Sequence, residues 1–165
     1  MKKEKILILD KARIARKLQR MAFQLWEHNS HEKEMVLVGI EKTGMVMAKD
    51  LAARLKKISP IKVEVVSLKL NKKEPWEKIT FTANINGKSV VLVDDVANSG
   101  KTLLYALRPM LDGKPKKILI AVLVDRKHKS FPVSSDIVGH SVATTMQEHI
   151  EVETKGDEII AAYLQ

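Results

Sequence analysis

Cysteine is missing from all 165 residues, which excludes disulfides and a thiolate nucleophile and leaves the redox compartment unmarked. No apolar run approaches the ~20 residues that a membrane-crossing helix needs. Residues 6–9 (Ile-Leu-Ile-Leu) follow lysines, as a secretory signal would, but they are too short for a signal core and meet Asp10 at once. No membrane association is expected, and the cytoplasm is the default compartment. Internal repeats and low-complexity stretches are also lacking. His28, His31 and His149 have no acidic or cysteine partner at metal-ligand spacing and are expected at the surface or in the core. The lysine pairs Lys2-Lys3, Lys56-Lys57, Lys72-Lys73 and Lys116-Lys117 never join into a basic tail, and few aromatics lie between them. Such scatter favours solvated faces over a dedicated nucleic-acid surface.

What is present is a basic chain of the size of one domain, expected to span residues 1–165 with room for a real core. Its net charge of +9 would suit nucleic acid through counterion release, and equally an anionic small substrate through steering. Asp10 stands where a helix N-cap would, and Ile14, Leu18, Met21, Ala22 and Leu25 follow at helical spacing, predicting an amphipathic helix to about His28. Residues 35–40 predict a buried strand, and 44–57 a helix with Ala48, Leu51, Ala52 and Leu55 inward. Residues 62–70 predict a second strand. Strand, helix, strand implies a right-handed parallel unit. The pattern continues with a strand at 89–94, a helix near 102–111 that Pro109 should kink or end, and a strand at 117–125. A short core strand at 137–142 and peripheral strands at 149–153 and 159–164 complete it. Residues 70–88 break the rhythm: they are polar and proline-punctuated, then alternate over 80–85 before an Asn86-Gly87 turn. An excursion there is a candidate lid.

Chemistry concentrates in Val90-Val91-Leu92-Val93-Asp94-Asp95-Val96-Ala97-Asn98-Ser99-Gly100-Lys101-Thr102. Four apolar residues suit a strand buried on both faces of a parallel sheet. Ligands of such sheets bind beyond the strands' carboxyl ends, where Asp94 and Asp95 emerge. The turn that follows offers backbone N–H groups at a helix N-terminus, a setting for phosphate. Gly100-Lys101-Thr102 also ends like a P-loop, but the glycine required five positions before Gly100 is Asp95, whose charge would repel the phosphates. A buried strand leading into a capped helix, with both aspartates as turn residues, is the plainer alternative.

Residues 90–102 resemble the phosphoribosyl-pyrophosphate signature of type I phosphoribosyltransferases. Three further segments are similar to the branch of pyrimidine operon attenuator/uracil phosphoribosyltransferases: Ile8-Leu9-Asp10, Val36-Leu37-Val38-Gly39-Ile40, and residues 121–128 around Asp125-Arg126. Asp136-Ile137-Val138-Gly139-His140 continues the order, so the likeness runs from about Ile8 to about Val152. The resemblance implies an α/β, doubly wound parallel sheet of the type I phosphoribosyltransferase kind, with a small hood or lid at the C-terminal edge of the sheet. It implies transfer of 5-phosphoribosyl from phosphoribosyl pyrophosphate to a nucleobase, uracil favoured, with Mg²⁺ as cofactor. Asp94 and Asp95 then match the pair that accepts hydrogen bonds from the ribose hydroxyls. Val96, Ala97, Asn98, Ser99, Gly100, Lys101 and Thr102 match the loop around the 5′-phosphate. Glu41, Lys42, Thr43 and Gly44 match the pyrophosphate loop, although the branch carries Thr-Arg where this chain has Lys42-Thr43. A lysine meets phosphate as a point charge and lacks arginine's bidentate fork. Arg126 matches a residue near pyrophosphate and base. Asp94, Asp95 and, more weakly, Asp125 are the metal neighbours, and Val138, Gly139 and His140 match a base-reading segment. His128 is expected at the surface. Asn98 replaces the aspartate of purine-using relatives, and an amide cannot accept a proton in that role.

Two departures bear on function. The lid lacks the branch's Arg-Asp-Asp cluster and is shorter. In the first helix the branch's RNA-associated Thr-Arg and His positions read Gln19-Arg20 and Phe23. Three functions therefore compete: an active transferase, an RNA-binding regulator of pyrimidine genes with a nucleotide effector, and a nucleotide binder with little turnover. RNA is a partner not favoured by these residues, and a homo-oligomer, dimer or larger, is expected from relatives.

Overall fold

The longest apolar runs become the inner strands of a parallel sheet. The computed structural model describes residues 4–145 and 147–165, so the Lys2-Lys3 pair lies outside it. In chain order the elements are β1 (Ile6–Leu9), α1 (Lys11–His28), β2 (Glu34–Ile40), α2 (Thr43–Ile58), β3 (Lys62–Leu68) and β4 (Ser89–Ala97), then α3 (Lys101–Asp112), β5 (Lys117–Arg126), β6 (Ile137–Val142), β7 (Ile150–Lys155) and β8 (Glu158–Leu164). Five strands pair in the order β3-β2-β4-β5-β6, each parallel to its neighbours.

Alternate side chains of β4 serve two separate cores. Val91 and Val93 pack with α1 and α2 on one face, while Val90 and Leu92 pack with Leu103, Ala106 and Met110 of α3 on the other. Helices on both faces make the sheet doubly wound. In α1 the five apolar positions spaced for a core are its five buried residues, each burying roughly 1.5–3 kcal/mol worth of apolar surface for the larger side chains. The Asp10 carboxylate caps that helix, accepting the Arg13 N–H at 2.8 Å.

The structure departs from the sequence reading in six places. Strand β3 stops at Leu68, two residues early, and β4 runs on through both aspartates to Ala97. Helix α3 continues past Pro109 to Asp112. Ala52 is half-buried rather than enclosed. The alternating residues 80–85 form no strand; a single bridge joins Lys69 and Thr80, because no further chain lies alongside to extend it. Finally, β1 was not foreseen as a strand, and it joins the two peripheral strands in an antiparallel sheet of order β1-β8-β7. This second sheet roofs the carboxyl end of β4, so the hood comes from both ends of the described chain, and residues 70–88 form a separate flap beside it.

Candidate functional site: the β4–α3 junction

Strand order reverses between β2 and β4, since β2 continues to β3 on one side while β4 leads to β5 on the other. Such a switch point opens a crevice at the strand ends. Asp94 occupies it almost wholly enclosed, at 1% exposure, with Oδ1 accepting the Asp95 N–H at 2.9 Å. Gly44, in the first turn of α2, lies so close that a Cβ there would sit 2.6 Å from the Val93 carbonyl oxygen and 3.3 Å from the Asp94 Cα. Successive strand residues ordinarily face opposite sides. Here the Lys72 ammonium lies 3.3 and 3.4 Å from the two Asp94 oxygens and 3.7 Å from Asp95 Oδ1. One cation thus serves both carboxylates, although β4 keeps its register with β5 through Ala97.

Burial, and after it the neighbouring Asp95 charge, raise the Asp94 pKa well above the usual carboxylate range, against the opposing pull of Lys72. Burial lowers the Lys72 pKa, but the attraction of the two aspartates outweighs it and the net shift is upward.

Beyond Ala97 the chain turns through Gly100, whose φ of +82° favours glycine, into α3. The Ser99 carbonyl accepts the Ser130 and Phe131 N–H groups, both at 3.1 Å, and Ser99 Oγ accepts the Lys101 N–H at 3.2 Å. The N–H groups of Ser99, Gly100, Thr102 and Leu103 take no partner among the described residues. Unpaired amides converging at a helix start form an anion cradle. Asn98 faces the roof instead: its amide donates to the Ile150 carbonyl at 3.5 Å and accepts the Ile150 N–H at 3.4 Å.

These parts enclose a cavity of about 610 Å³. Its floor is residues 94–103, its roof residues 149–152 with Gln165, and its flank Lys72 and Lys73 of the flap. Residues 7–155 match the family model described as phosphoribosyl transferase domain. The chain belongs to that family. Bifunctional protein PyrR of Pelotomaculum thermopropionicum is 38% identical over 96% of this chain and 95% of its own length. The protein of the same name from Enterococcus faecalis is 37% identical over 88% of each chain. Among solved structures, the hypoxanthine phosphoribosyltransferase of Trypanosoma cruzi superposes with a TM-score of 0.77 at 16% identity, over 94% of both chains. A hypoxanthine-guanine phosphoribosyltransferase of Bacillus anthracis gives 0.75 at 21%, over 97% of this chain and 96% of its own. Those two likenesses establish the fold; the PyrR relatives put the chain in the pyrimidine operon attenuator branch of the type I phosphoribosyltransferases.

Within this phosphoribosyltransferase fold, Asp94, Asp95 and the whole loop from Val96 to Thr102 line the cavity. Gly44 backs it through Asp94. Glu41, Lys42 and Thr43 stand beside it: the Glu41 carboxylate lies 3.9 Å from Lys69, and the Lys42 carbonyl accepts the Met45 and Val46 N–H groups. Asp125 and Arg126 are not brought to the cavity wall. Lys129 holds Asp125 at 2.7 Å, and the Arg126 guanidinium braces the segment before β7, donating to Thr144 Oγ1 at 2.7 Å and the Thr145 carbonyl at 3.0 Å. Val138, Gly139 and His140 also lie off the wall, because edge strand β6 stands two strands, roughly 9–10 Å, from β4. The Val138 and Gly139 carbonyls accept from Arg20, at 3.2 and 2.6 Å.

Sequence reasoning missed Lys72, Lys73 and the roof residues His149 to Val152. The lysine pair looked like one more solvated pair; its one signal was its place just after β3, at the ligand-binding end of the sheet. His149 carried none.

Proposed function

We propose that this phosphoribosyltransferase moves 5-phosphoribosyl from phosphoribosyl pyrophosphate to uracil, releasing pyrophosphate. The carrying observation is that an acidic pair and a cradle of unpaired amides share one cavity, matching a sugar with free hydroxyls at one end and a phosphate at the other. In the reaction a ring nitrogen of the base bonds to C1′ as the C1′–O bond to pyrophosphate breaks. Pyrophosphate leaves with that electron pair, and the nitrogen loses its proton. Asp94 and Asp95 accept hydrogen bonds from the 2′- and 3′-hydroxyls, and the amides of residues 99–103 hold the 5′-phosphate. The 41–44 loop lies on the side where pyrophosphate departs. Catalysis of this kind rests on positioning and on stabilising developing charge.

The acidic pair suits Mg²⁺. It already brackets a cation, and Mg²⁺ binds through one or two carboxylates together with substrate phosphates and waters. When bound, the metal neutralises charge gathering on the departing pyrophosphate.

The roof offers the base a backbone edge. His149 and Gln165 exchange both backbone hydrogen bonds, at 2.8 and 2.9 Å, so the next pair, Ile150 and Leu164, is the non-bonded kind. The Ile150 N–H and C=O therefore turn away from β8 towards Asn98. An amide edge, with N–H beside C=O, complements them, and the Asn98 carboxamide fills that role at long distance. Uracil offers such an edge at N3–H and its neighbouring carbonyl, and so fits in place of the Asn98 carboxamide against Ile150.

Incubation with phosphoribosyl pyrophosphate, Mg²⁺ and a panel of bases is expected to release pyrophosphate with uracil and far less with cytosine or adenine. No release with any base overturns the transferase reading. Regulation through RNA is the second reading, favoured by the word "bifunctional" in the relatives' name and by the net charge of +9. Arg20, the one position of the first-helix RNA pattern kept here, is committed to the β6 backbone. A salt-sensitive mobility shift confined to a pyrimidine leader hairpin would support regulation.

A further inference from the structure

We propose that Lys72 is the resident counter-ion of the acidic pair: a flap-borne ammonium that sits on Asp94 and Asp95 until the sugar hydroxyls and divalent cation of a phosphoribosyl ligand displace it. This rests on the transferase reading of the site. Three features of the flap carry the proposal.

The first is electrostatic need. Asp94 and Asp95 are adjacent and largely enclosed, and among the described residues Lys72 is the one cation within 4 Å of either carboxylate. Two neighbouring carboxylates without a counter-charge repel one another strongly in a low-dielectric setting.

The second is looseness. Charge-assisted N–H···O contacts settle near about 2.7–2.9 Å, whereas Lys72 stands at 3.3, 3.4 and 3.7 Å from its three nearest oxygens. Its side chain keeps 44% exposure, so solvent reaches the stem and a departure route is open. A buried structural ion pair has neither property. The arrangement is that of a placeholder.

The third is that the tip of the flap is tied to itself and held to the site by few contacts, while Ile79, Phe81, Ala83 and Ile85 anchor its other half in the core. Lys69 and Thr80 exchange hydrogen bonds of 3.0 and 2.8 Å, closing the flap at its base. Inside it, the Asn71 side chain accepts the Lys73 N–H at 3.0 Å and the Asn71 carbonyl accepts the Glu74 N–H at 3.1 Å. Beyond the Lys69–Glu41 contact at its base, the flap reaches the site among the described residues through Lys72 on the aspartates and through Trp76, whose ring lies 4.5 Å beneath the Lys101 ammonium at the start of α3. Both attachments use residues of the ligand cavity or its lip. A ligand that claims the aspartates and the α3 N-terminus therefore competes with both at once, and releases Lys72 and Lys73 beside the departing pyrophosphate.

Trp76 reports the exchange directly. Ribose 5-phosphate with Mg²⁺ is expected to change tryptophan emission with the same midpoint as the calorimetric binding curve, and this change should vanish in Trp76→Phe. In Lys72→Met the emission should already sit near the ligand-bound value, and Mn²⁺ binding without sugar, followed by its electron paramagnetic resonance, should tighten about five- to tenfold. Lys72→Arg should restore wild-type behaviour. If Lys72→Met binds Mn²⁺ and ribose 5-phosphate as the parent does, with Trp76 emission unmoved, Lys72 holds nothing and the proposal fails. If no protein, parent included, binds ribose 5-phosphate, the exchange falls together with the transferase reading. Binding by the parent with loss of binding in Lys72→Met also sinks it, because a placeholder's removal cannot abolish what it obstructs.

Discussion

Asp94→Asn is expected to raise the melting temperature while sharply reducing turnover. The carboxylate is enclosed, and burial followed by repulsion from Asp95 raises its pKa well above the ordinary carboxylate value. The folded protein therefore binds a proton that the unfolded chain has released, over the window between the unfolded value of about 3.9 and the raised native one. Stability falls as pH rises through that window, and the full penalty persists above it. The asparagine variant should match the parent near pH 4 and melt at a higher temperature at pH 8, by calorimetry across pH. Its turnover should drop about 10²–10³-fold, as when one preorganised polar group is removed from a transition state. Asp95→Asn should lose turnover alike. A melting difference that is flat with pH would show that Asp94 is not held against its charge.

Gly44→Ala is the second large effect. The added carbon would stand 2.6 Å from the Val93 carbonyl oxygen, a backbone atom with no rotamer to escape through. Relief requires α2 to lift from β4, and overpacking of this sort costs about 1–3 kcal/mol. The melting temperature should fall by about 5–10 °C. Lifting α2 also moves the wall against Asp94, so the Michaelis constant for phosphoribosyl pyrophosphate should rise even at temperatures where the variant is folded. An unchanged melting curve would mean that the close approach of loop and strand is not tight.

These effects divide along the line of what the sequence makes legible. Helix α1 and strands β2, β5 and β6 are written in local periodicity, and the structure reproduces them within a residue or two. The cavity floor was legible because its parts are consecutive: Asp94 to Thr102 form one strand end and one turn. Its remaining walls are assembled from distant segments. Val138, Gly139 and His140 matched a motif by order along the chain, but order along the chain does not state how many strands separate β6 from β4. Lys72 reaches the aspartates only because residues 70–79 fold back, and nothing in a polar loop announces its direction. Residues 80–85 had the alternation of a strand and no partner to make one.

The roof has a consequence for how the molecule comes together. Its register joins Ile6 to Leu164, so it draws on segments at opposite extremes of the described chain, whereas the parallel sheet grows from strands close in sequence. Closing so long a loop is entropically late. The lid of the vessel is thus its last stave, and amides in β1 and β8 should exchange with deuterium sooner than those of β4. A ligand that touches floor and roof together would clasp segments from both extremes of the described chain, and its occupancy should slow exchange in the hood.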